Sequence, residues 1–211
     1  MADWHSADMS SALGTTLKSP ILFPTIEKWL AKIPKRYSNA STQADFERLI
    51  DLPQIRSRMT WLQDQIQSTA QNIVFCHNDL LSGNILYDQE KDAAEFIDYE
   101  YGGFNYAAFD IANHFCEFAG FDGNYSLYPA KSFQLKWLRT YLERIDIKNV
   151  SDDRVSRLFQ EVQIFALAAH LFWGVWALVQ AEISDIDFNY LDYAKIRFDE
   201  FFKSPPPLLS H

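Results

Sequence analysis

Glycine is scarce in this chain: there are seven in 211 residues, and only Gly14 precedes Gly83. A glycine-rich turn that wraps phosphate with backbone amides needs several glycines close together, so the first 80 residues or so cannot form one. The early lysines, Lys18, Lys28, Lys32 and Lys35, lie in no strand pattern that would aim one of them at a phosphate. Cysteine is limited to Cys76 and Cys116, which excludes a disulfide framework and fits free thiols in a reducing cytosol. Both lack the basic neighbours of a reactive thiolate. No basic cluster stands out. The net charge is −9 and the pI about 5.0, which argues against nucleic acid and against docking on an anionic membrane. His5, His77, His114, His170 and His211 show no metal-site spacing. The first five residues carry an acid but no positive or apolar leader region, so no signal peptide is expected there. Repeats and low-complexity tracts are absent, and 48% hydrophobic content gives one domain with ample core.

Most of what remains is helical patterning. Residues 24–31 read as a helix opening on proline and closed by Pro34. Residues 44–49 and 53–68 read as two more, the second with Ile55, Met59, Leu62 and Ile66 at helical spacing. Residues 135–142 and 187–202 continue the pattern, and Pro205-Pro206-Pro207 predicts a stiff tail. The run 162–179 is long enough to span a membrane. It contains Gln163, His170 and Gly174 and follows a polar helix start at Ser151-Asp152-Asp153-Arg154, so a buried core helix is expected rather than stable membrane insertion. Trp173 and Trp176, three apart, share a helix face and turn both indoles toward a common neighbour.

The chemistry is concentrated in His77-Asn78-Asp79-Leu80-Leu81-Ser82-Gly83-Asn84 and in Ile97-Asp98. Ile73-Val74-Phe75-Cys76 is β-prone, so Asp79 sits where a strand opens into a loop. Ile85-Leu86-Tyr87, the polar turn 88–92 and Glu95-Phe96-Ile97 read as a hairpin that returns Asp98 toward Asn84. An Asp that accepts a hydroxyl proton, with an Asn and a second Asp that ligate Mg²⁺, is the equipment of phosphoryl transfer from ATP. His77 is expected to brace the loop, and His114 and His170 to be packing histidines. Beyond Asp98, Tyr99-Glu100-Tyr101-Gly102-Gly103-Phe104-Asn105-Tyr106 combines aromatics with a carboxylate, and a helix is expected over 109–118. Ring faces and carboxylates both attract a small cation, at about 0.5–2 kcal/mol per ring.

These blocks resemble the signature segments of choline and ethanolamine kinases. Residues 77–84 and 96–118 match two of them, and residues 168–180 and 193–198 are similar to two more. The resemblance runs from about residue 60 to 202, and more loosely back to Pro20. Tyr99, the Glu-Phe-Ala-Gly at 117–120 and Leu127-Tyr128-Pro129-Ala130 make it more similar to ethanolamine kinases. It implies Asp79 as catalytic base and Asn84 and Asp98 as Mg²⁺ ligands. It also implies an amine pocket bordered by Glu100, Tyr101, Glu117, Trp173, Trp176 and Tyr193. The family's tyrosine shortly after Glu117 is replaced here by Gly120-Phe121-Asp122, so one aromatic wall is expected to be weaker. That favours a primary ammonium, with three hydrogens to donate, over choline.

The fold expected is mainly α with a small β-hairpin: the C-terminal lobe of a protein-kinase-like fold, its N-terminal lobe absent. Residues 1–20 are expected to be an extension or interlobe remnant, 21–203 the lobe and 204–211 a Pro-rich tail. The function expected is ATP-dependent phosphorylation of ethanolamine to phosphoethanolamine, the first step toward phosphatidylethanolamine, in the cytoplasm. The chain is expected to be incomplete, to bind Mg-ATP poorly and to turn over slowly or not at all. Alternatives are a choline kinase, an aminoglycoside-type phosphotransferase lobe, against which the Trp pair speaks, and a non-catalytic module pairing with a full-length kinase; the partners expected are ethanolamine and, for a dimer, a second copy or a full-length homologue.

Overall fold

The computed structural model describes residues 1–9, 14, 19–69 and 72–203. Lys18 and the proline-rich tail expected over 204–211 lie outside the described residues. The described elements are α1 (Ala2–Ser6), α2 (Leu22–Leu30), α3 (Ala40–Leu49), α4 (Leu52–Gln67), β1 (Ile73–Cys76), β2 (Ile85–Asp88), β3 (Ala93–Phe96), β4 (Gly103–Tyr106), α5 (Ala107–Cys116), α6 (Lys131–Asp146), α7 (Asp152–Ile183) and α8 (Tyr190–Phe201).

The strut of the fold is α7. Ser151 caps it by accepting the Arg154 amide, and Asp152 and Asp153 complement the positive end of its dipole. Nearly every side chain from Val162 to Val179 is buried, because α5, α8, α2, α6 and α4 all pack around it. By length and composition this helix could cross a membrane, but 89% of its apolar window is buried inside the protein. A helix surrounded by other helices must be apolar all round, which accounts for the run without lipid. Gly174 lets α8 approach closely: a Cβ there would stand 2.8 Å from the Phe198 ring. Phe109, Phe115, Phe165, Phe172 and Phe201 fill the interior between these helices.

The surface helices follow their sequence signals. Asp51 accepts the Gln54 amide at the head of α4, where Pro53 lies in the first turn, and Ile55, Met59, Leu62 and Ile66 form its buried stripe. Asn39 caps α3 through the amides of Ser41 and Thr42, so this helix begins at Ala40 rather than at residue 44. Among the described residues there are two two-stranded antiparallel sheets, where one hairpin was expected. The expected one pairs β2 with β3, Ile85 opposite Phe96 and Asp88 opposite Ala93. The other pairs β1 with β4, Ile73 opposite Tyr106 and Cys76 opposite Gly103. Strand β4 lies within the aromatic segment, where Phe104 and Tyr106 alternate with the polar Asn105.

Candidate active site

The loop that follows β1 is held by a carboxylate absent from the sequence reading. Asp110, in the first turn of α5, is fully buried. It accepts the His77 amide on Oδ2 at 3.0 Å and the Asn78 amide on Oδ1 at 2.7 Å. His5 of α1 completes the grip: its Nε2 lies 2.9 Å from Asp110 Oδ2 and its Nδ1 2.8 Å from the Tyr141 hydroxyl. Burial by itself would raise the Asp110 carboxyl. The hydrogen bond and charge of His5 and the two loop amides outweigh it and hold the group below the usual carboxylate range. His5, Cys76 and Asp110 offer ligand-type atoms within 4.8 Å of one another. However, the Asp110 oxygens are already taken up by the loop, and the Cys76 thiol, pushed well up by burial, faces the Tyr106 and Val74 carbonyls. The cluster reads as a structural lock.

Asn78 links this loop to the aromatic segment. It adopts φ +65°, a left-handed conformation that asparagine tolerates. Its Nδ2 donates to the Tyr101 carbonyl at 2.8 Å, and its Oδ1 accepts from Asn105 Nδ2 at 2.8 Å. Its carbonyl accepts from Asn113 Nδ2 at 3.1 Å. His77 braces the loop as the sequence suggests, with Nε2 donating to the Ile97 carbonyl at 2.8 Å and Nδ1 accepting the Asp79 amide at 3.3 Å. His114 Nδ1 bonds the Leu80 carbonyl, and His170 is buried beside Cys116 and Tyr125.

Asp79 is 9% exposed. Asn84 Nδ2 donates to its carbonyl at 2.8 Å and to its Oδ2 at 3.2 Å, which turns the Asn84 amide oxygen the other way. The hairpin closes with Ile97 N donating to the Asn84 carbonyl at 3.1 Å, so Asp98 is delivered beside Asn84. Asp98 itself has φ +63°, a strained backbone of the sort found at functional sites. The Asp79 carboxyl is pushed up to about 7, by burial first and then by the charges of Glu117 and Asp98, with Glu100 adding to them and the Asn84 hydrogen bond opposing. Three further carboxylates therefore act on Asp79.

Around them stand the other residues singled out in the sequence. Trp173 and Trp176 do face a common neighbour, Tyr101. The Tyr101 ring lies 5.2 Å from Trp173, and its hydroxyl accepts from Trp176 Nε1 at 3.0 Å. Trp173 is 5% exposed and spends its N–H on Asn113 Oδ1 at 2.7 Å, so it backs the cluster rather than opening onto solvent. The Tyr101 hydroxyl is raised to about 12 by burial, then by Glu100. Tyr193 is buried, and Glu117 accepts a hydrogen bond from Arg197. The position expected to be a weak wall is not bare: the exposed Phe121 ring lies 5.9 Å from Tyr193 and 6.0 Å from Phe188. Sequence reading missed His5, Asp110, Asn113 and Arg197. The signal for Asp110 and Asn113 was available as two polar residues three apart on a helix whose only other polar residue is His114.

A family model described as choline/ethanolamine kinase matches residues 1–202. The chain belongs to the choline/ethanolamine kinase family. Among relatives, a probable ethanolamine kinase A of Dictyostelium discoideum is 40% identical over 210 residues, covering all of this chain and 58% of that protein. Ethanolamine kinase 1 of Mus musculus is 44% identical over 186 residues, covering 85% of this chain and 51% of the relative. A solved structure of an ethanolamine kinase from Plasmodium vivax superposes with a TM-score of 0.80 at 26% identity, covering 96% of this chain and 56% of that one. The chain thus spans between half and three fifths of the length of these family members.

Proposed function

We propose that this chain carries the catalytic and amine-binding part of a kinase that transfers the terminal phosphoryl group of ATP to ethanolamine, giving phosphoethanolamine for phosphatidylethanolamine synthesis in the cytoplasm. The observation that carries the reading is the charge convergence on Asp79. A carboxyl raised to about 7 by burial first, and then by the charges of Glu117, Asp98 and Glu100, is poised to accept a hydroxyl proton at physiological pH. It also gives a cation strong reason to bind. The donor set suits Mg²⁺, which takes hard oxygen ligands: the Asp98 carboxylate and the Asn84 amide oxygen would hold it. Bound there, Mg²⁺ would neutralise charge on the phosphate oxygens.

Asp79 orients the substrate hydroxyl and takes its proton as the oxygen attacks phosphorus. Glu100, Glu117, Tyr101, Trp173, Trp176 and Tyr193 border the pocket for the ammonium group. Glu117 and Glu100 supply acceptors for its N–H donors, and the rings supply apolar walls with attractive faces. Carboxylates are prominent among these residues, and they accept the N–H bonds that a primary ammonium donates and the N-methylated ammonium of choline cannot, which favours ethanolamine.

The test uses this chain joined to the N-terminal part of the Dictyostelium relative, assayed for ATP-dependent phosphorylation of ethanolamine, choline and an aminoglycoside. Ethanolamine should give a kcat/KM at least about tenfold above choline and no measurable aminoglycoside turnover. Preference for the aminoglycoside would reject the proposal, and equal use of choline would reject its specificity.

A further inference from the structure

Arg197 is fully buried, at 2% exposure, and it meets the site through the Glu117 carboxylate and the Tyr193 hydroxyl. Its Nη1 donates to Glu117 Oε1 at 3.1 Å and to the Tyr193 hydroxyl at 3.4 Å, while Nη2 donates to the Ala169 carbonyl at 3.2 Å. The Arg197–Glu117 pair is dry, with side-chain exposures of 2% and 9%. Its Nε has no hydrogen-bond partner among the described residues. A buried pair of this kind is a poor way to stabilise a fold, because the desolvation of both ions offsets their attraction. It is an effective way to fix a charge in one place.

Glu117 needs such a fixture. It follows the last residue of α5 and opens a short 3-10 turn, Glu117–Ala119, so it sits at the negative end of a helix dipole, which disfavours a carboxylate. Asp79, on which the Glu117 charge acts, is an acid too. The contact with Arg197 uses Oε1 and does not occupy Oε2.

We infer that Arg197 is a positioning residue for the amine site: it holds one oxygen of Glu117 so that the other receives the ammonium group of the substrate. Arg197 itself makes no contact with the substrate. This rests on the amine-binding reading above.

The test is calorimetric titration of ethanolamine into the 211-residue chain and into Arg197→Met, Arg197→Lys, Glu117→Gln and the Arg197→Met/Glu117→Gln double variant. Urea unfolding checks that each one folds. Arg197→Met should weaken binding at least about tenfold, the size expected when a charged hydrogen bond is lost. Arg197→Lys should recover part of the loss, since it keeps the charge without the planar fork. In the Glu117→Gln background the Arg197→Met change should add less than about twofold, because its charged contact with the site is gone and the longer Tyr193 contact is neutral. If Arg197→Met does not fold, Arg197→Lys made in both backgrounds carries the same comparison. An equal loss in both backgrounds, or unchanged affinity in the single variant, overturns the inference. Failure of the unaltered chain to bind ethanolamine overturns the amine-binding reading and this inference with it, whereas binding that ignores Arg197 overturns the inference alone.

Discussion

Replacing Asp79 with Asn should abolish phosphoryl transfer and yet stabilise the protein at alkaline pH. Moving a carboxyl from 3.8 to about 7 on folding corresponds to about 4 kcal/mol, at roughly 1.4 kcal/mol per tenfold change in proton affinity. Water reaches part of the group, so the expected effect is nearer to about 2 kcal/mol. The sign follows from proton binding. Between pH 4 and 7 the native state keeps a proton that the unfolded chain has released. Stability associated with this group is therefore complete below pH 3.8 and is lost as pH rises through about 7. Asparagine carries no charge and escapes this loss, while keeping the shape that Asn84 packs against. Urea unfolding in magnesium-free buffer should show Asp79→Asn more stable than the native chain by about 2 kcal/mol at pH 8, with less than half that gain at pH 5. A variant less stable than the native chain at pH 8, or a gain that does not change with pH, would refute the reasoning. Stability gained by removing a functional charge is the expected signature of an active site.

Other perturbations separate the parts of the site. His5→Ala leaves Asp110 buried without its partner and should cost about 3 kcal/mol in urea unfolding; a loss under 1 kcal/mol would mean that the contact of α1 with the loop is incidental. Trp176→Phe keeps the ring but removes the donor to the Tyr101 hydroxyl. Ethanolamine affinity should fall several-fold with unfolding nearly unchanged, and unchanged affinity would remove Trp176 from the pocket. Gly174→Ala places a methyl group against Phe198 and should destabilise by about 1–3 kcal/mol, read as a lower Tm.

Local physics made much of this visible in the sequence. The hairpin that returns the chain toward Asn84 was legible because two β-prone runs flank a polar turn, and the Ile97–Asn84 backbone bond closes it. The buried stripe of α4 followed from its helical spacing, and the buried run of α7 over residues 162–179 from its length and composition. Boundaries shifted where a cap decided them: Asn189 accepts the Asp192 amide, so α8 begins at Tyr190 rather than 187. Strand β4 was hidden because its partner β1 lies some 30 residues earlier, and pairing across that distance leaves no local trace. The same reason hid His5 with Asp110 and Glu117 with Arg197, contacts between residues 105 and 80 positions apart. Motif reading named the candidates for the chemistry and missed the residues that hold them in place.

The central claim, that Asp79 handles the proton of an amino alcohol beside a metal-phosphate centre, is tested most directly by following phosphoethanolamine formation with phosphorus NMR. The sample is the chain joined to its relative's N-terminal part, with Asp79 intact or replaced by Ala. The intact protein should form product from ethanolamine and Mg-ATP, and Asp79→Ala should be slower by at least about a hundredfold, since base catalysis and hydroxyl orientation are both lost. A rate within about threefold of the intact protein would contradict the account.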